Sequence, residues 1–302
     1  MQGLLLINKP EGLTSFGVVA KIKWLLHTKR VGHTGTLDPM ATGVLPVFVG
    51  RDTVLCGHLL DADKEYIAGV KLGVTTDTLD KTGTVLSESE VKVLKEELLK
   101  VLNGFLGKQM QVPPMYSAIK KDGVRLYDLA RQGKEVEREA REIEIFEIEL
   151  LSLSGSEFKI RVLCSKGTYI RSLADDIGKK LGTGAMLTEL TRTKTAGFNL
   201  AECVDLDFLT PENTASFLQS SENAVLSYPL LTVSEKQSVR FSNGGELSLE
   251  RLHFASEPKN GEIYRIKCED KFLGLGEVDF NKSALKIKCL TYHPSDRSAN
   301  EE

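Results

Sequence analysis

The chain has 302 residues, 41% of them hydrophobic, and a net charge of −3, so it is long and apolar enough for one large domain or for a large and a small one. The apolar run 4–7 is interrupted at once by Lys9 and Pro10, which argues against a signal peptide or membrane span, and we expect a cytoplasmic protein. The five cysteines are odd in number and form no Cys-x-x-Cys pair. This spacing indicates neither a disulfide framework nor a zinc site, and we expect no metal.

The distribution of charge is more informative than its sum. Residues 12–37 contain no acidic side chain but include several lysines and an arginine, and a second basic stretch lies at 120–134. Each cluster fits either a solvated face or a contact with a polyanion. The weakly acidic total therefore does not exclude nucleic acid as a partner.

Periodicity predicts the elements of the first half of the chain. Apolar residues at helical spacing follow the possible cap Thr14-Ser15, and strand-like alternation begins at Tyr66. A polar loop is predicted at 77–83 and a helix at 94–102, ending at Gly104.

The next predicted element is a hairpin turn at 120–123, followed by apolar residues at helical spacing. Two strands are predicted at 143–150 and 158–164, and then a helix that runs from Ile170 to the glycines at 182–184. A polar break at 210–227 precedes a unit of short strands, and the tail 295–302 is polar.

The glycine-rich segment 32–43 holds one carboxylate, Asp38, between Leu37 and Pro39. Proline disfavours the helical region for the residue before it, so Asp38 should have an extended backbone and be presented by the loop. A lone Asp-Pro is most often an ordinary turn. The string Gly-His-Thr-Gly-Thr-Leu-Asp-Pro is much more specific.

Several further motifs occur with this loop in a fixed order. They are Ile7-Asn8-Lys9-Pro10-Glu11-Gly12, Tyr66 ahead of the segment 72–80, Pro114-Met115-Tyr116-Ser117-Ala118, and Cys164-Ser165-Lys166-Gly167-Thr168-Tyr169-Ile170-Arg171. Loop and motifs together resemble the TruB family of tRNA pseudouridine synthases across most of the first two thirds of the chain. The resemblance implies an α+β fold, with a mixed, largely antiparallel sheet, flanking helices and a small C-terminal β pseudo-barrel similar to a PUA domain.

The resemblance also implies three catalytic residues. Asp38 is the catalytic carboxylate, Tyr66 packs on the target base and takes part in proton removal, and Arg171 points at Asp38. From the residues alone, Tyr66 could equally be a core aromatic, and Arg171 could pair with Asp175 one helical turn later. A carboxylate can act as nucleophile without a cofactor, and none is expected.

Six further residues are candidates for RNA binding. His33 is implied to displace the target nucleotide or to fill its place, and Lys9 could contact a phosphate or support the loop. The others are Tyr169 and, on an insertion at 112–139 that resembles a thumb closing over RNA, Lys120, Lys121 and Arg125.

The predicted domains are a catalytic domain at 1–228, a PUA-like RNA-binding domain at 229–294 and the tail. The implied reaction is isomerisation of uridine 55 in the T-loop of tRNA, with the tRNA T-arm as partner and a monomer that needs no other protein. Two related alternatives stay open, a guide-RNA-dependent synthase and a tRNA-binding folding factor. A retaining glycosidase would need a second carboxylate such as Asp77 or Asp80 opposite Asp38.

Overall fold

The fold combines a large sheet, a small sheet and flanking helices. In the computed structural model of the protein, the structure describes residues 1–117, 120–121, 123–133 and 136–292, and only the backbone of residues 120, 121, 124, 125, 128 and 131. The α-helices of these residues are α1 (Ser15–Leu25), α2 (Lys95–Asn103), α3 (Leu126–Arg131), α4 (Ile170–Lys180) and α5 (Glu235–Ser242). A long 3-10 helix spans Gly50–Leu59.

The strands of the described residues are numbered in chain order. They are β1 (Gly3–Lys9), β2 (Val31–His33), β3 (Thr42–Val49), β4 (Lys64–Leu72), β5 (Val74–Thr76), β6 (Val85–Glu88), β7 (Gly107–Gln111), β8 (Lys120–Lys121), β9 (Val124–Arg125), β10 (Arg141–Ser154), β11 (Glu157–Cys164), β12 (Ala185–Thr195), β13 (Phe198–Asn199), β14 (Val204–Asp205), β15 (Leu230–Thr232), β16 (Leu247–Ser248), β17 (Ile263–Cys268), β18 (Lys271–Asp279) and β19 (Ala284–Leu290).

The large sheet has the order β14-β1-β3-β12-β4-β11-β10-β7, with β2 paired to β3 and β13 to β12. The β1–β14 and β3–β12 pairs are parallel and the other pairs are antiparallel. A second sheet of order β15-β17-β18-β19-β16 is formed by residues 230–290. The predicted fold class, a mixed and largely antiparallel sheet with a small C-terminal β unit, is confirmed.

Local sequence explains the helices that flank the site. The side chain of Thr14 accepts a hydrogen bond from the Gly17 amide and caps α1, which buries Val18 and Ile22 on one face. Helix α4 begins after Tyr169 and buries Ile170 and Leu173. Both helices occur where periodicity predicts them.

The core beneath the site joins the Asp38 loop to the centre of the sheet. Leu37 and Met40 from the loop lie in one buried cluster with Tyr66 on β4 and Leu173 on α4. Because its apolar residues are buried on either side of Asp38, the loop is anchored against the sheet.

A separate cluster connects the two sheets. Leu4, Phe48 and Val225 are buried together with Leu275 from β18. Glu222 adds ion pairs to Arg265 at 2.7 Å and to Lys267 at 3.0 Å. The polar break 210–227 therefore packs between the two sheets.

The insertion at 112–139 contains the predicted hairpin and helix. Strands β8 and β9 pair Lys120 with Arg125 and Lys121 with Val124, and α3 follows directly. The predicted tail falls outside the described residues, and the domain boundaries stay predictions. Across the described ranges, no helix is long and apolar enough to cross a membrane, and no three His, Cys, Asp or Glu side chains are grouped as metal ligands would be.

Candidate active site

The Asp38 loop runs from the end of β2 to the start of β3, and its neighbours hold it by the backbone. Ser15 Oγ accepts from the Leu37 amide at 2.9 Å and donates to the Leu37 carbonyl at 3.2 Å. The Gly12 amide donates to the Pro39 carbonyl at 2.7 Å. The residues on both sides of Asp38 are therefore fixed by Gly12 and by Ser15, the first residue of α1.

Arg171 and Asp38 form an ion pair across the site. Nε of Arg171 lies 2.8 Å from Oδ2 of Asp38, and the side chain of Asp38 is 35% exposed, whereas that of Arg171 is buried. Asp175, the alternative partner of Arg171, pairs with Lys179 at 2.6 Å instead. The arginine thus faces the loop, and the carboxylate remains partly open to solvent.

The rest of the Arg171 guanidinium is also occupied. It donates to the Thr78 carbonyl at 3.1 Å and to the Tyr116 carbonyl at 2.7 Å. One planar group therefore binds three separate segments, which are the Asp38 loop, the loop after β5 and the start of the thumb insertion. Lysine lacks this fixed fork of donors.

Asp80 is a second carboxylate beside Arg171. Its Oδ2 lies 3.7 Å from Nε of Arg171, while its Oδ1 accepts hydrogen bonds from Thr78 and from the amide and hydroxyl of Thr82. Asp80 is buried, and its Oδ1 is occupied by its own loop. It can influence Asp38 by its charge, but it lacks the exposure that a second carboxylate in glycosidase chemistry would need.

The protonation of Asp38 reflects these neighbours. Burial raises the pKa of the Asp38 carboxyl, the Arg171 charge opposes that rise, and the negative charge of Asp80 adds to it. Burial is the largest of these effects, so the pKa of Asp38 lies above its ordinary value.

Tyr66 lies in the middle of the sheet at the floor of the site. It pairs in register with Val162 on β11 and with Arg192 on β12, and it is buried in the same cluster as Leu37 and Met40. Burial raises the pKa of its phenol, while the charge of Arg192 acts in the opposite direction. Tyr66 is therefore both a core aromatic and a neighbour of the Asp38 loop.

His33 ends β2 at the start of the loop. Burial lowers the pKa of its imidazole, and the nearby charge of Arg192 lowers it further, which favours the neutral ring. Its Nδ1 is buried without a hydrogen-bond partner. A neutral ring with a free nitrogen suits a role in binding more than one as a cation.

Lys9 is fully buried, and its ammonium is saturated by the backbone. Nζ donates to the carbonyls of Leu13 at 2.6 Å, Pro10 at 2.8 Å and Pro39 at 3.3 Å. Burial lowers the pKa of this amine to about 8. With all three hydrogens used, the geometry favours support of the loop over contact with a phosphate.

The other candidates for RNA binding lie directly before α4 and on the insertion at 112–139. The backbone of Tyr169 is held on both sides by Gln111, whose Oε1 accepts from its amide at 2.8 Å and whose Nε2 donates to its carbonyl at 3.1 Å. The backbones of Lys120, Lys121 and Arg125 form the β8–β9 hairpin, and their side chains lie outside the described part of the structure.

Sequence reasoning missed three residues of the site: Ser15, Asp80 as a partner of Arg171, and Arg192. Arg192 is 1% exposed in the middle of β12, among the largest fully buried side chains of the described residues. A charged residue inside a strand that crosses the sheet centre is a signal that could have identified it, because such side chains are rarely buried without a specific partner.

The arrangement has a defined chemical capacity. A partly exposed carboxylate that is paired with a buried arginine and adjoins a buried tyrosine is suited to covalent or electrostatic assistance at a base taken out of its stack. On such a mixed sheet, with a small C-terminal sheet beside it, this is the architecture of a pseudouridine synthase.

Comparison with protein-family models gives the particular family. Residues 23–170 match the model described as TruB family pseudouridylate synthase (N terminal domain), and residues 171–225 match the tRNA pseudouridylate synthase B C-terminal domain. The chain belongs to the TruB family.

Individual relatives agree with this assignment. The chain is 46% identical over 291 residues to tRNA pseudouridine synthase B of Clostridium tetani, covering 96% of this chain and 99% of the relative. It is 44% identical over 294 residues to the protein of the same name from Azoarcus sp., covering 96% and 95%.

Solved structures share the whole fold. A chain in the crystal structure of a Cbf5-Nop10-Gar1 complex matches with a TM-score of 0.74 and 27% identity over 97% of this chain and 86% of the other. A chain in the structure of an H/ACA RNP bound to a substrate RNA containing 2'-deoxyuridine matches with a TM-score of 0.72 and 25% identity, covering 96% and 85%.

Proposed function

We propose that this pseudouridine synthase acts alone on tRNA and isomerises uridine 55 in the T-loop. The observation that carries the proposal is the ion pair of 2.8 Å between Arg171 and Asp38, in a chain 46% identical to a protein named tRNA pseudouridine synthase B. Unpaired loop bases can be extruded at low cost, and the folded shape of an RNA arm can be recognised without a long sequence.

The reaction rearranges the nucleoside without adding or removing atoms. The N1–C1′ bond of uridine breaks, the base turns, a C5–C1′ bond forms, C5 loses its proton and N1 gains one. Asp38 assists by attack at C6 of the base, or by attack or assisted elimination at the ribose. Each of these routes uses the ionised carboxylate.

The other residues have supporting roles in this proposal. Arg171 orients Asp38 and favours its charged form. Tyr66 contacts the flipped base and takes part in removal of the C5 proton, and stacking of this kind is worth roughly 1–3 kcal/mol per base. His33 and Tyr169 line the path of the nucleotide, and the basic hairpin of the thumb contributes salt-dependent affinity.

The guide-RNA-dependent alternative has support from the structural neighbours, one of which is an RNP with bound substrate RNA. The curated relatives favour the stand-alone enzyme, at 46% identity against 27% for the Cbf5 chain. The hairpin and helix of the insertion at 112–139 also favour it, since they give the chain an RNA-binding element of its own.

The proposal is tested by release of tritium from an unmodified tRNA transcript labelled at uridine C5, with purified protein and no added cofactor. Wild type should release tritium and Asp38→Asn should not, while both bind the transcript. The matched control is Asp270→Asn, at an exposed turn of the C-terminal sheet, which should behave as wild type. Tight binding without release by wild type would refute the proposal and favour a guide-dependent or folding role.

A further inference from the structure

Arg192 is a buried cation to which the proposed reaction assigns no role. Its side chain is 1% exposed, and within the described residues no carboxylate lies within ion-pair distance of it. Burying a guanidinium costs free energy unless its donors are satisfied. The acceptors that satisfy Arg192 should therefore reveal its role.

Two of these acceptors flank the Asp38 loop. Nε of Arg192 donates to the Val44 carbonyl at 2.8 Å, and Nη2 donates to the Gly35 carbonyl at 3.3 Å. Gly35 precedes Asp38 and Val44 follows it, so one planar group joins the two ends of the loop. The fixed geometry of the guanidinium makes this a rigid connection.

The backbone of Arg192 reaches the same loop. Arg192 pairs in register with Gly43, which has a φ of +105°, and a Cβ atom on Gly43 would lie 2.2 Å from the Arg192 carbonyl oxygen. No side chain fits at that distance. The last glycine of the loop motif thus permits β3 and β12 to meet beside the site.

Tyr66 lies beside this guanidinium. Arg192 and Tyr66 are direct register partners on β12 and β4, which places their side chains on one face of the sheet, and both side chains are buried. Arginine can only donate, so a hydrogen bond between the two side chains would use the phenol oxygen as acceptor and leave its hydrogen free to point away from Arg192. Such a contact would also stabilise any negative charge that develops on that oxygen.

We propose that Arg192 is a positioning residue that fixes the Tyr66 phenol relative to the Asp38 loop and orients its hydroxyl for the reaction. It joins the two halves of the site, since Arg171 holds the carboxylate and Arg192 holds the tyrosine and both ends of the loop. The reaction concerned is that of the proposed function, whereas the pairing of Arg192 with Tyr66 across β12 and β4 belongs to the protein without RNA.

The first test is a double-mutant cycle of single-turnover rate constants with Arg192→Lys and Tyr66→Phe. A displacement near 1 Å can cost about 100-fold in rate, so Arg192→Lys should lower the rate constant by roughly that factor with RNA affinity unchanged. In the Tyr66→Phe background the same change should cost under about 3-fold, since coupled residues are not additive. Equal losses in both backgrounds would overturn the proposal.

The matched control is Arg161→Lys, at an arginine on strand β11 that pairs with the exposed Glu147 and Glu149 and with the buried Glu65. It should leave the rate constant within about 2-fold of wild type, as is usual for exposed ion pairs. A loss as large as that of Arg192→Lys would show a general effect of sheet arginines and contradict the proposal.

A second measurement needs neither activity nor a change at Arg192. In protein with isotope-labelled arginine side chains and no RNA, Tyr66→Phe should move the guanidinium resonance of Arg192 and leave that of Arg161 in place. An unmoved Arg192 resonance would refute the contact. If the contact is seen but no uridine is isomerised, only the proposed function fails; if uridine is isomerised without the contact, only the role of Arg192 fails.

Discussion

Nε of Arg171 lies between two carboxylates, 2.8 Å from Asp38 and 3.7 Å from Asp80. The Asp38 carboxylate is partly exposed to solvent, and the Asp80 carboxylate is buried in its own loop. Arg171 lowers the pKa of Asp38 and Asp80 raises it. Substitution of either residue should therefore change the reaction in a direction that can be predicted.

Arg171→Lys should lower the rate constant of isomerisation by roughly 100-fold, the loss typical for one preorganised donor. The positive charge is retained, but a lysine cannot hold Asp38 and the carbonyls of Thr78 and Tyr116 together. Single-turnover kinetics and RNA affinity measure the effect. A rate within a few fold of wild type would show that charge alone suffices.

Asp80→Asn should move the acidic limb of the pH–rate profile to lower pH. The reaction needs ionised Asp38, so its rate rises with pH through the pKa of that carboxyl. Burial and the charge of Asp80 raise this pKa, and removal of the Asp80 charge lowers it again. The measurement is kcat/KM from acid to neutral pH, with Asp77→Asn as control. A limb that moves to higher pH would contradict the assignment.

Lys9→Met distinguishes a buried loop support from a phosphate contact. We expect a loss of about 1–3 kcal/mol in the free energy of unfolding, because three carbonyls lose their donor. The dependence of log affinity on log salt should not change, whereas loss of a phosphate contact would lower that slope by about 0.7–0.9. Denaturant unfolding and binding at several salt concentrations test both points, with the exposed Lys29→Met as control.

Asp52→Asn should remove a pH dependence of stability unrelated to catalysis. Burial raises the pKa of Asp52 to about 6 from its ordinary value of 3.8. Between these values the folded state keeps a proton that the unfolded state has released, so wild-type stability falls as pH rises from about 4 to 6. Relative to Asp52→Asn, the fall should be roughly 3 kcal/mol over the whole transition and about 2 kcal/mol between pH 4.5 and pH 7.5.

Unfolding of both proteins at pH 4.5 and pH 7.5 measures this difference, beside the exposed Asp270→Asn. The prediction would be contradicted if the free energy of unfolding of the wild type changed between these two pH values by the same amount as that of Asp52→Asn.

Local sequence patterns predicted those helices and strands whose apolar residues recur at a regular spacing. Helices α1, α2 and α4 have apolar residues at helical spacing, and β4 alternates from Tyr66 onward. Strands β1 and β3 were missed because they are buried on both faces, and their continuous apolar runs lack alternation.

Site residues that lie in sequence motifs could be predicted. Site residues that depend on pairing between distant strands could not. Asp38, Tyr66 and Arg171 lie in motifs, and the structure brings them together around the Asp38 loop. Arg192 depends on β12 pairing with β3 on one side and β4 on the other, which no local pattern shows. The raised pKa of Asp38 likewise depends on Asp80, a residue distant in sequence.

The central claim is tested most directly by mapping pseudouridine, nucleotide by nucleotide, in a full-length tRNA transcript treated with the purified protein alone. We predict a single new pseudouridine at position 55 of the T-loop, which disappears when that uridine is replaced by cytidine or when Asp38→Asn is used. Pseudouridine at other positions with none in the T-loop, or none without a guide RNA, would contradict this claim.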